Sequence, residues 1–285
     1  MKFYSPLRYP GGKNKLAKFI ALICIKNNVS GQYIEPYAGG AAVALYLLMN
    51  NHVSKIVIND IDRSIYAFWY AILKHTNKFC NLINKTEVNV ENWKKFKEIQ
   101  KNKKTADLFE LGFSTFFLNR TNVSGIIDGG IIGGVNQDGK YKINCRFNKK
   151  ELIERIKEIA LHKKNIKIFN LDALDLIEKI NKKSINSKMI FYFDPPYYMK
   201  GESLYLNHYK HKDHKKVSDR IKKIKNAKWI VSYDNTPEIK KLYNNCQKKE
   251  YSFYHTAREA KIGKEILFFC RSLNIPAILE PTKIN

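Results

Sequence analysis

The sequence predicts a doubly wound, mostly parallel α/β sheet with one inserted domain made of helices and a hairpin. Apolar strand-like segments alternate with helical segments in both the first and the last part of the chain. A strand, a glycine turn and a helix follow one another within 32–50, and the alternation stops at 62–150. The predicted division is therefore one main unit formed by 1–61 and 151–285, with 62–150 as an insertion.

The elements can be assigned in order from periodicity, capping residues and turn signals. The predicted strands of the main unit are one within 32–40, before the glycine turn, and those at 55–59, 165–169, 189–193 and 228–234, and a terminal hairpin pairs 250–255 with 265–270. Predicted helices cover 14–26, 41–50, 149–162 and 214–225, the last capped by Asp213. In the insertion, helices are predicted at 64–74, 93–104 and 106–118, before a glycine-rich loop whose hairpin turn is Asp138-Gly139.

The charge balance predicts a polyanionic partner. The chain has 285 residues, with 51 Lys and Arg against 26 Asp and Glu and a formal net charge of +25. A positive field of this size favours binding to nucleic acid. Lysine, asparagine and isoleucine are abundant throughout, so an A/T-rich genome is a second source of the charge.

Hydropathy and cysteine spacing exclude several other classes. No apolar run approaches the roughly 18 residues of a membrane span. The first residues contain no hydrophobic signal region, so we expect a cytoplasmic protein. The five cysteines lie far apart without a Cys-x-x-Cys pair, which argues against a zinc site and against a disulfide framework.

The end of the apolar run 189–193 is the candidate catalytic site. Asp194, Pro195, Pro196 and Tyr197 follow the run directly, and the prolines cannot continue a strand. Ligands of open α/β sheets bind beyond the carboxyl ends of the strands. Asp194 and the Pro195 carbonyl could accept both N–H bonds of an amino group on a heteroaromatic ring, while Tyr197 stacks on that ring. This arrangement suits methyl transfer to the nitrogen; a proline-rich turn with a capping Asp is the other interpretation.

The segment 32–60 predicts a site for a ribose-containing cofactor. The turn Glu35-Pro36-Tyr37-Ala38-Gly39-Gly40 lies between a strand and a small-residue helix, as in the first half of a nucleotide-binding βαβ unit. Asp60 ends the next strand, near the spacing at which a carboxylate binds ribose hydroxyls. Because G-x-G-x-x-G is absent, a cofactor without pyrophosphate fits better, and S-adenosylmethionine is such a molecule. The earlier turn at 6–13 has glycines that let the backbone approach a ligand closely, or it is purely structural.

Four motifs in order make the chain similar to the Dam-type family of DNA adenine-N6 methyltransferases. They are Arg-Tyr-Pro-Gly-Gly-Lys (8–13), Glu-Pro-Tyr-Ala-Gly-Gly (35–40), Asn-Asp-Ile-Asp (59–62) and Asp-Pro-Pro-Tyr (194–197), and the match covers nearly the whole chain. The resemblance implies a Rossmann-like methyltransferase sheet, with 1–61 and 151–285 as the catalytic and S-adenosylmethionine-binding domain.

The same resemblance implies roles for individual residues. The catalytic residues would be Asp194, Pro195, Pro196 and Tyr197. Asp60 would bind the ribose of S-adenosylmethionine, and Asp172 would lie beside its adenine or cap a helix. Tyr37 and Gly40-Ala41 depart mildly from the family pattern. The full set of implied cofactor contacts is Tyr9, Gly11, Gly12, Lys13, Glu35, Pro36, Tyr37, Gly39, Asp60, Ile61, Asp172 and Asp194.

The insertion 62–150 corresponds to the target-recognition domain of the Dam-type family. Its glycine-rich segment contains donors and acceptors suited to the edges of bases, and a structural arm is the alternative. The lysines of the predicted helix at 93–104 form a solvated face or contact DNA. The residues predicted to bind DNA are Arg120, Asn122, Ser124, Asn136, Gln137, Lys140 and Arg146.

The predicted function is site-specific methylation of adenine N6 on a base flipped out of double-stranded DNA. Methylation of RNA adenine or of DNA cytosine N4, and a catalytically silent nucleic-acid binder, are the alternatives. His208, His211 and His214 have the spacing of a metal site, but no cysteine accompanies them, so no metal is expected. The recognised DNA sequence, a cognate restriction endonuclease, the oligomeric state and the role of 272–285 are open at this stage.

Overall fold

A seven-stranded mixed sheet forms the centre of the molecule. The computed structural model describes residues 2–8, 12–181, 186, 188–199, 209–255 and 261–284. The strands are β1 (Gln32–Glu35), β2 (Lys55–Asn59), β3 (Ile166–Phe169), β4 (Met189–Phe193), β5 (Lys228–Asp234), β6 (Gln247–His255) and β7 (Lys261–Phe269). Their order in the sheet is β3-β2-β1-β4-β5-β7-β6; the first five strands of this order are parallel, and β7 is antiparallel to both β5 and β6.

Helices connect the parallel strands and fill the insertion. The helices of the described chain are α1 (Ala17–Lys26), α2 (Ala42–Met49), α3 (Arg63–Lys74), α4 (Thr76–Lys85), α5 (Val90–Lys101), α6 (Leu108–Thr121), α7 (Lys149–Leu161), α8 (Ala173–Asn181), α9 (His211–Lys222) and α10 (Pro237–Leu242). These elements confirm the predicted fold class and all the predicted strands. The terminal hairpin is longer than predicted, and α4, α8 and α10 were not assigned from the sequence.

The position of β1 and β4 determines where a ligand can bind. The chain runs outward from β1 to β2 and β3 on one side, and from β4 to β5 on the other. The gap between such diverging connections is the topological switch point, where open α/β sheets bind ligands. All five residues of β4 are buried, because the strand is apolar on both faces and lies in the middle of the sheet. The carboxyl ends of β1 and β4 therefore place Glu35 and Asp194 on the same edge.

The five helices between β2 and β3 pack around a cluster of aromatic side chains. Phe68 of α3 stacks on Phe116 of α6, with ring centroids 6.1 Å apart. The two helices approach closely at Gly112, where an added Cβ would lie 2.3 Å from the Ala67 carbonyl oxygen. Glycine is therefore required at this contact, because any side chain would separate α3 from α6.

The glycine-rich segment differs from the prediction. Instead of a hairpin with a turn at Asp138-Gly139, residues 126–148 form successive turns, with one isolated bridge between Asn122 and Ile131. The side chain of Gln137 replaces a strand ladder, since its Nε2 donates to the Ile132 carbonyl at 2.8 Å and its Oε1 accepts from the Ile143 amide at 2.8 Å. The segment has no alternation of apolar residues to define a buried strand face.

Two smaller predictions are also corrected or limited by the structure. Helix α9 begins at His211 rather than His214, and Asp213 lies in its first turn, where Oδ2 accepts from the Lys210 amide at 3.1 Å. His208 lies outside the described residues. Within the described part of the chain, no cluster of His, Cys, Asp or Glu could hold a metal ion, and no helix is long and apolar enough to cross a membrane.

Candidate active site

Asp194 lies directly beyond β4, at the edge of the sheet where ligands bind. Its Oδ1 accepts a hydrogen bond from Ser232 Oγ at 2.7 Å and lies 3.3 Å from Lys13 Nζ. Burial raises the pKa of Asp194, while Lys13 and the Ser232 hydroxyl oppose that shift. The side chain remains 22% exposed, so the carboxylate is held by protein groups and still faces open space.

A second, more deeply buried cluster lies behind Asp194. The Tyr197 hydroxyl accepts from Lys13 Nζ and donates to Glu265 Oε1 at 2.5 Å, and the Tyr251 hydroxyl donates to Glu265 Oε2. Lys13 Nζ lies 3.6 Å from Glu265 Oε1 and 4.8 Å from the centre of the Tyr197 ring. Burial lowers the pKa of Lys13, but the carboxylates of Asp194 and Glu265 outweigh it, so the pKa is raised overall. Lys13 is thus a charged partner of both carboxylates.

The turn after Tyr197 is held by the end of the neighbouring strand. The carboxylate of Asp234, the last residue of β5, accepts from the Tyr198 amide at 2.9 Å and from the Met199 amide at 2.8 Å. Hydrogen bonds from backbone amides to a carboxylate are stronger than neutral ones. Asp234 therefore fixes the backbone that follows Asp194, a role that sequence reasoning missed.

Glu35, the last residue of β1, places a second carboxyl group in the site. The residue is buried, and Tyr33 donates a hydrogen bond to its Oε1 at 2.8 Å. Burial raises the pKa of Glu35 to about 8, although the Tyr33 hydroxyl opposes the shift. A carboxyl group with this pKa gives up its proton readily when a positive charge binds beside it.

Asp60 directly follows β2 and holds the glycine turn in place. Its Oδ2 accepts from the Gly39 amide at 2.9 Å, and its Oδ1 accepts from the Asp62 amide at 2.9 Å. Burial raises the pKa of Asp60 to about 7, with the Asp62 amide opposing the shift. The Gly39 carbonyl in turn accepts from Trp69 Nε1 at 3.0 Å, which connects the turn to α3. Each oxygen of Asp60 retains a lone pair for a ligand hydroxyl.

A cavity of about 630 Å³ connects these groups. This volume lies within the range of roughly 300–1,000 Å³ for small-molecule sites. The cavity is lined by most of the residues predicted from the resemblance, namely Gly12, Lys13, Glu35, Tyr37, Asp60, Ile61, Asp194 and Pro196. Pro36, Gly39, Asp172, Pro195 and Tyr197 are not among its lining residues, and Tyr9 and Gly11 lie outside the described residues.

Two predicted residues have structural partners beside the cavity. Asp172 precedes α8, and its Oδ1 accepts from the Leu174 amide at 2.8 Å, as an N-cap does. Its contact with a cofactor adenine stays a prediction. Tyr197 is buried, with its hydroxyl bonded inside the protein, so its stacking on a base also stays a prediction.

Asn59 is a second residue that sequence reasoning missed. Its Nδ2 donates to the carbonyl oxygens of Pro36 and Leu171, both at 2.9 Å, and its Oδ1 accepts from the Leu171 amide at 3.0 Å. Asn59 therefore joins the loops that follow β1 and β3. Its place in the Asn-Asp-Ile-Asp motif is the signal that could have identified it.

Four arginines also line this cavity, and we call them the arginine cluster: Arg8, Arg120, Arg146 and Arg155. Arg120 Nε donates to the Arg146 carbonyl at 2.7 Å. Burial first, and then the positive charges of Arg8 and Arg155, lower the pKa of Arg120 to about 10. Arg120 and Arg146 were predicted to bind DNA, whereas Arg8 and Arg155 were not assigned to DNA from the sequence.

The other residues predicted to bind DNA fall into two groups. Asn136 and Lys140 are exposed, and Ser124 is half-buried. Asn122 is buried, with its Nδ2 donating to the Ile126 and Ile127 carbonyls and its Oδ1 accepting from Trp93 Nε1 at 2.7 Å. The structure thus accounts for Asn122 and Gln137 through the loop they hold together, and their contact with DNA stays a prediction.

Comparison with known proteins connects this geometry to one family. The model of the family described as D12 class N6 adenine-specific DNA methyltransferase matches residues 9–260. The type II methyltransferase M.MjaIII of Methanocaldococcus jannaschii is 25% identical over 207 residues, which are 67% of this chain and 68% of that protein.

Two solved structures share a lower sequence identity with this chain. PH1948 of Pyrococcus horikoshii has 10% sequence identity and a TM-score of 0.43, over 90% of this chain and 83% of that chain. The rRNA methyltransferase aviRa of Streptomyces viridochromogenes has 9% identity and a TM-score of 0.35, over 88% and 83% of the two chains. At these TM-scores neither likeness bears on the reaction.

Proposed function

Because the chain belongs to the D12 class of N6 adenine-specific DNA methyltransferases, we propose that Asp194 holds the adenine amine and that the arginine cluster faces the DNA. The enzyme transfers a methyl group from S-adenosylmethionine to N6 of adenine in DNA. The family match thus favours adenine in DNA over the alternatives of RNA and of cytosine N4.

The position of Asp194 is the observation that carries the proposal. It lies at the topological switch point, in one cavity with Glu35 and Asp60, and it is fixed by Ser232 and Lys13. Both of these contacts are made to Oδ1, and in the described part of the chain Oδ2 accepts no hydrogen bond. Oδ2 is therefore the oxygen that we assign to an N–H of the adenine amine, with the Pro195 carbonyl as the second acceptor.

The chemistry needs positioning more than proton transfer. S-adenosylmethionine supplies a methyl group carried on a positively charged sulfur. A nitrogen–carbon bond to N6 forms as the sulfur–carbon bond breaks, and one N6 proton then leaves to water. Asp194 would turn the lone pair of N6 out of conjugation with the ring by accepting its N–H bonds. Positioning of reacting atoms in this way supplies a large part of many enzymatic rates.

The groups of the cavity fit S-adenosylmethionine. Glu35 and Asp194 place carboxyl groups where a sulfonium and an ammonium would be attracted, and Asp60 offers acceptors for ribose hydroxyls. The apolar side chains of Ile61 and Ile65 line the same cavity and could pack against an adenine ring. We propose these contacts as the binding site of S-adenosylmethionine.

DNA would approach from the side of the arginine cluster. The four arginines line the same cavity as Asp194 and their positive charge attracts phosphates, while the formal charge of +25 adds long-range attraction. Because Asp194 lies inside the cavity, adenine can reach it only when flipped out of the duplex. We therefore propose duplex DNA as the substrate form, with 62–150 as the recognition domain inserted into a catalytic unit of 1–61 and 151–285.

A methyl-transfer assay tests this proposal. Unmethylated genomic duplex and labelled S-adenosylmethionine are incubated with the enzyme, and methylated adenines are mapped to a sequence. We expect N6-methyladenine at one short recurrent site, which would also make a cognate restriction endonuclease a partner worth seeking. Label spread over unrelated sequences would contradict site specificity.

A substitution of Asp194 tests its role separately. Asp194→Ala should lower kcat by roughly a hundredfold or more, because the amine loses its acceptor, while the affinity for duplex DNA stays near wild type. Asp219→Ala is the matched control, since Asp219 forms ion pairs with Lys215 and Lys222 on the surface of α9. Wild-type kcat in Asp194→Ala would contradict the assignment.

A further inference from the structure

A buried glutamate from the antiparallel end of the sheet takes part in the charge balance around Asp194. Glu265 lies on β7 opposite Asp234 of β5 and Tyr251 of β6, and it is 1% exposed. A carboxylate at this depth needs compensating partners. It has three, namely the ammonium of Lys13 and the hydroxyls of Tyr197 and Tyr251.

Lys13 is shared almost equally between two carboxylates. Its Nζ lies 3.3 Å from Asp194 Oδ1 and 3.6 Å from Glu265 Oε1. A buried ammonium with one carboxylate partner would form a tight ion pair, because the interaction is weakly screened away from water. A carboxylate engaged in such a pair is a poorer acceptor for another N–H. The second carboxylate divides the attraction and prevents that outcome.

We propose that Glu265 is a positioning residue for methyl transfer, which shares the Lys13 ammonium so that Asp194 keeps its capacity to accept from the adenine amine. The inference rests on the proposed role of Asp194. Glu265 would act through Lys13 and would not touch the substrate. It also holds the hydroxyl of Tyr197, and so fixes the ring that follows Asp194 in the chain.

The charged groups around Asp194 determine how its pKa changes when one of them is removed. Lys13 faces it from the segment before α1, Glu265 from β7 and Glu35 from β1. The negative charge of Glu265 raises the pKa of Asp194, and the positive charge of Lys13 lowers it. Loss of the Glu265 charge should therefore lower the pKa of Asp194, and loss of the Lys13 charge should raise it.

The first test is Glu265→Gln, which retains the size of the side chain and removes its charge. We expect kcat to fall on the order of tenfold, with KM for S-adenosylmethionine and for DNA changed by less than about twofold. The acid limb of the kcat–pH profile should move to lower pH by about one unit, because the negative charge of Glu265, which raises the pKa of Asp194, is gone. A purely structural role would lower the melting temperature without moving the acid limb.

The second test restores the charge balance. In the double variant Lys13→Gln/Glu265→Gln both charges are gone, so the acid limb of the kcat–pH profile should return to higher pH than in Glu265→Gln. Glu250→Gln is the matched control, because Glu250 lies on the neighbouring strand β6 and pairs with Lys240 of α10 at the surface. It should retain wild-type kcat.

The outcomes separate this inference from the proposed function. A folded Glu265→Gln with wild-type kcat and pH profile overturns the role of Glu265, and so does a double variant whose acid limb stays at the position seen in Glu265→Gln. Asp194→Ala is measured in parallel. If Asp194→Ala is inactive in either case, the assignment of Asp194 stands and only the role of Glu265 fails.

Discussion

Ser232 offers the most direct test of how the protein holds its candidate catalytic carboxylate. The hydroxyl lies at the middle of β5, accepts from the Tyr192 hydroxyl at 2.9 Å and donates to Asp194 Oδ1 at 2.7 Å. Replacement by alanine leaves both neighbours in place and removes the group between them. The change is therefore small in volume and specific in its hydrogen bonding.

The magnitude follows from the partners that lose a bond. In Ser232→Ala the buried Tyr192 hydroxyl has lost its acceptor, which costs about 1–3 kcal/mol. We expect the free energy of unfolding to fall by about 2 kcal/mol, and Tm by roughly 4–8 °C for a chain of this size. The double variant with Tyr192→Phe removes the unpaired hydroxyl as well, so it should be more stable than the sum of the two single changes predicts.

The kinetic effect should be separate from the loss of stability. The Ser232 hydroxyl lowers the pKa of Asp194, so its removal should raise that pKa and move the acid limb of the kcat–pH profile upward. We also expect kcat to fall on the order of tenfold at neutral pH, because Asp194 loses one of its two orienting contacts. Ser54→Ala, at an exposed hydroxyl bonded to the Gly31 carbonyl, is the control. An unmoved acid limb and a wild-type kcat in Ser232→Ala would refute the reasoning.

Two further predictions concern the cofactor and the DNA. The pKa of Glu35 is about 8, so the carboxyl is mostly protonated at pH 7, and a cation bound beside it should lower that pKa and release a proton. Calorimetry in buffers of different ionisation enthalpy should detect this proton release when S-adenosylmethionine binds. The number of protons released should be smaller with S-adenosylhomocysteine, which lacks the sulfonium, and Glu35→Gln should lose the contribution of this carboxyl group. Arg146→Ala should weaken duplex binding and reduce the slope of log affinity against log salt by about one. Arg220→Ala, at a surface pair with Glu178, should leave the slope unchanged, and an equal slope in Arg146→Ala would remove that residue from the DNA interface.

Local patterns determined which segments become strands and where the candidate site lies. The run Met189–Phe193 is apolar at every position and is followed by two prolines, so the sequence predicts both a buried strand and its end at Asp194. The glycine turn and Asp60 are likewise local signals, and the structure joins them through the hydrogen bond from the Gly39 amide. The family motifs added the reaction and its methyl donor to what these residues imply.

Tertiary structure decided the partners of those residues. Ser232, Asp234 and Glu265 lie far along the chain from Lys13, and no motif marks them, because their roles depend on the order in which β4, β5 and β7 pair. The glycine-rich segment was wrongly predicted as a hairpin because its hydrogen bonds come from the side chains of Asn122 and Gln137, which composition cannot reveal.

The sequence by itself thus determined the acid, the turn and the strand that carries them. Which charges surround that acid was decided only when distant strands came together in the sheet. Burial and charge pairing depend on distances in space, whereas strands and turns depend on neighbours in the chain. That difference is why Asp194 could be named from the sequence and why its partnership with Lys13 and Glu265 could not.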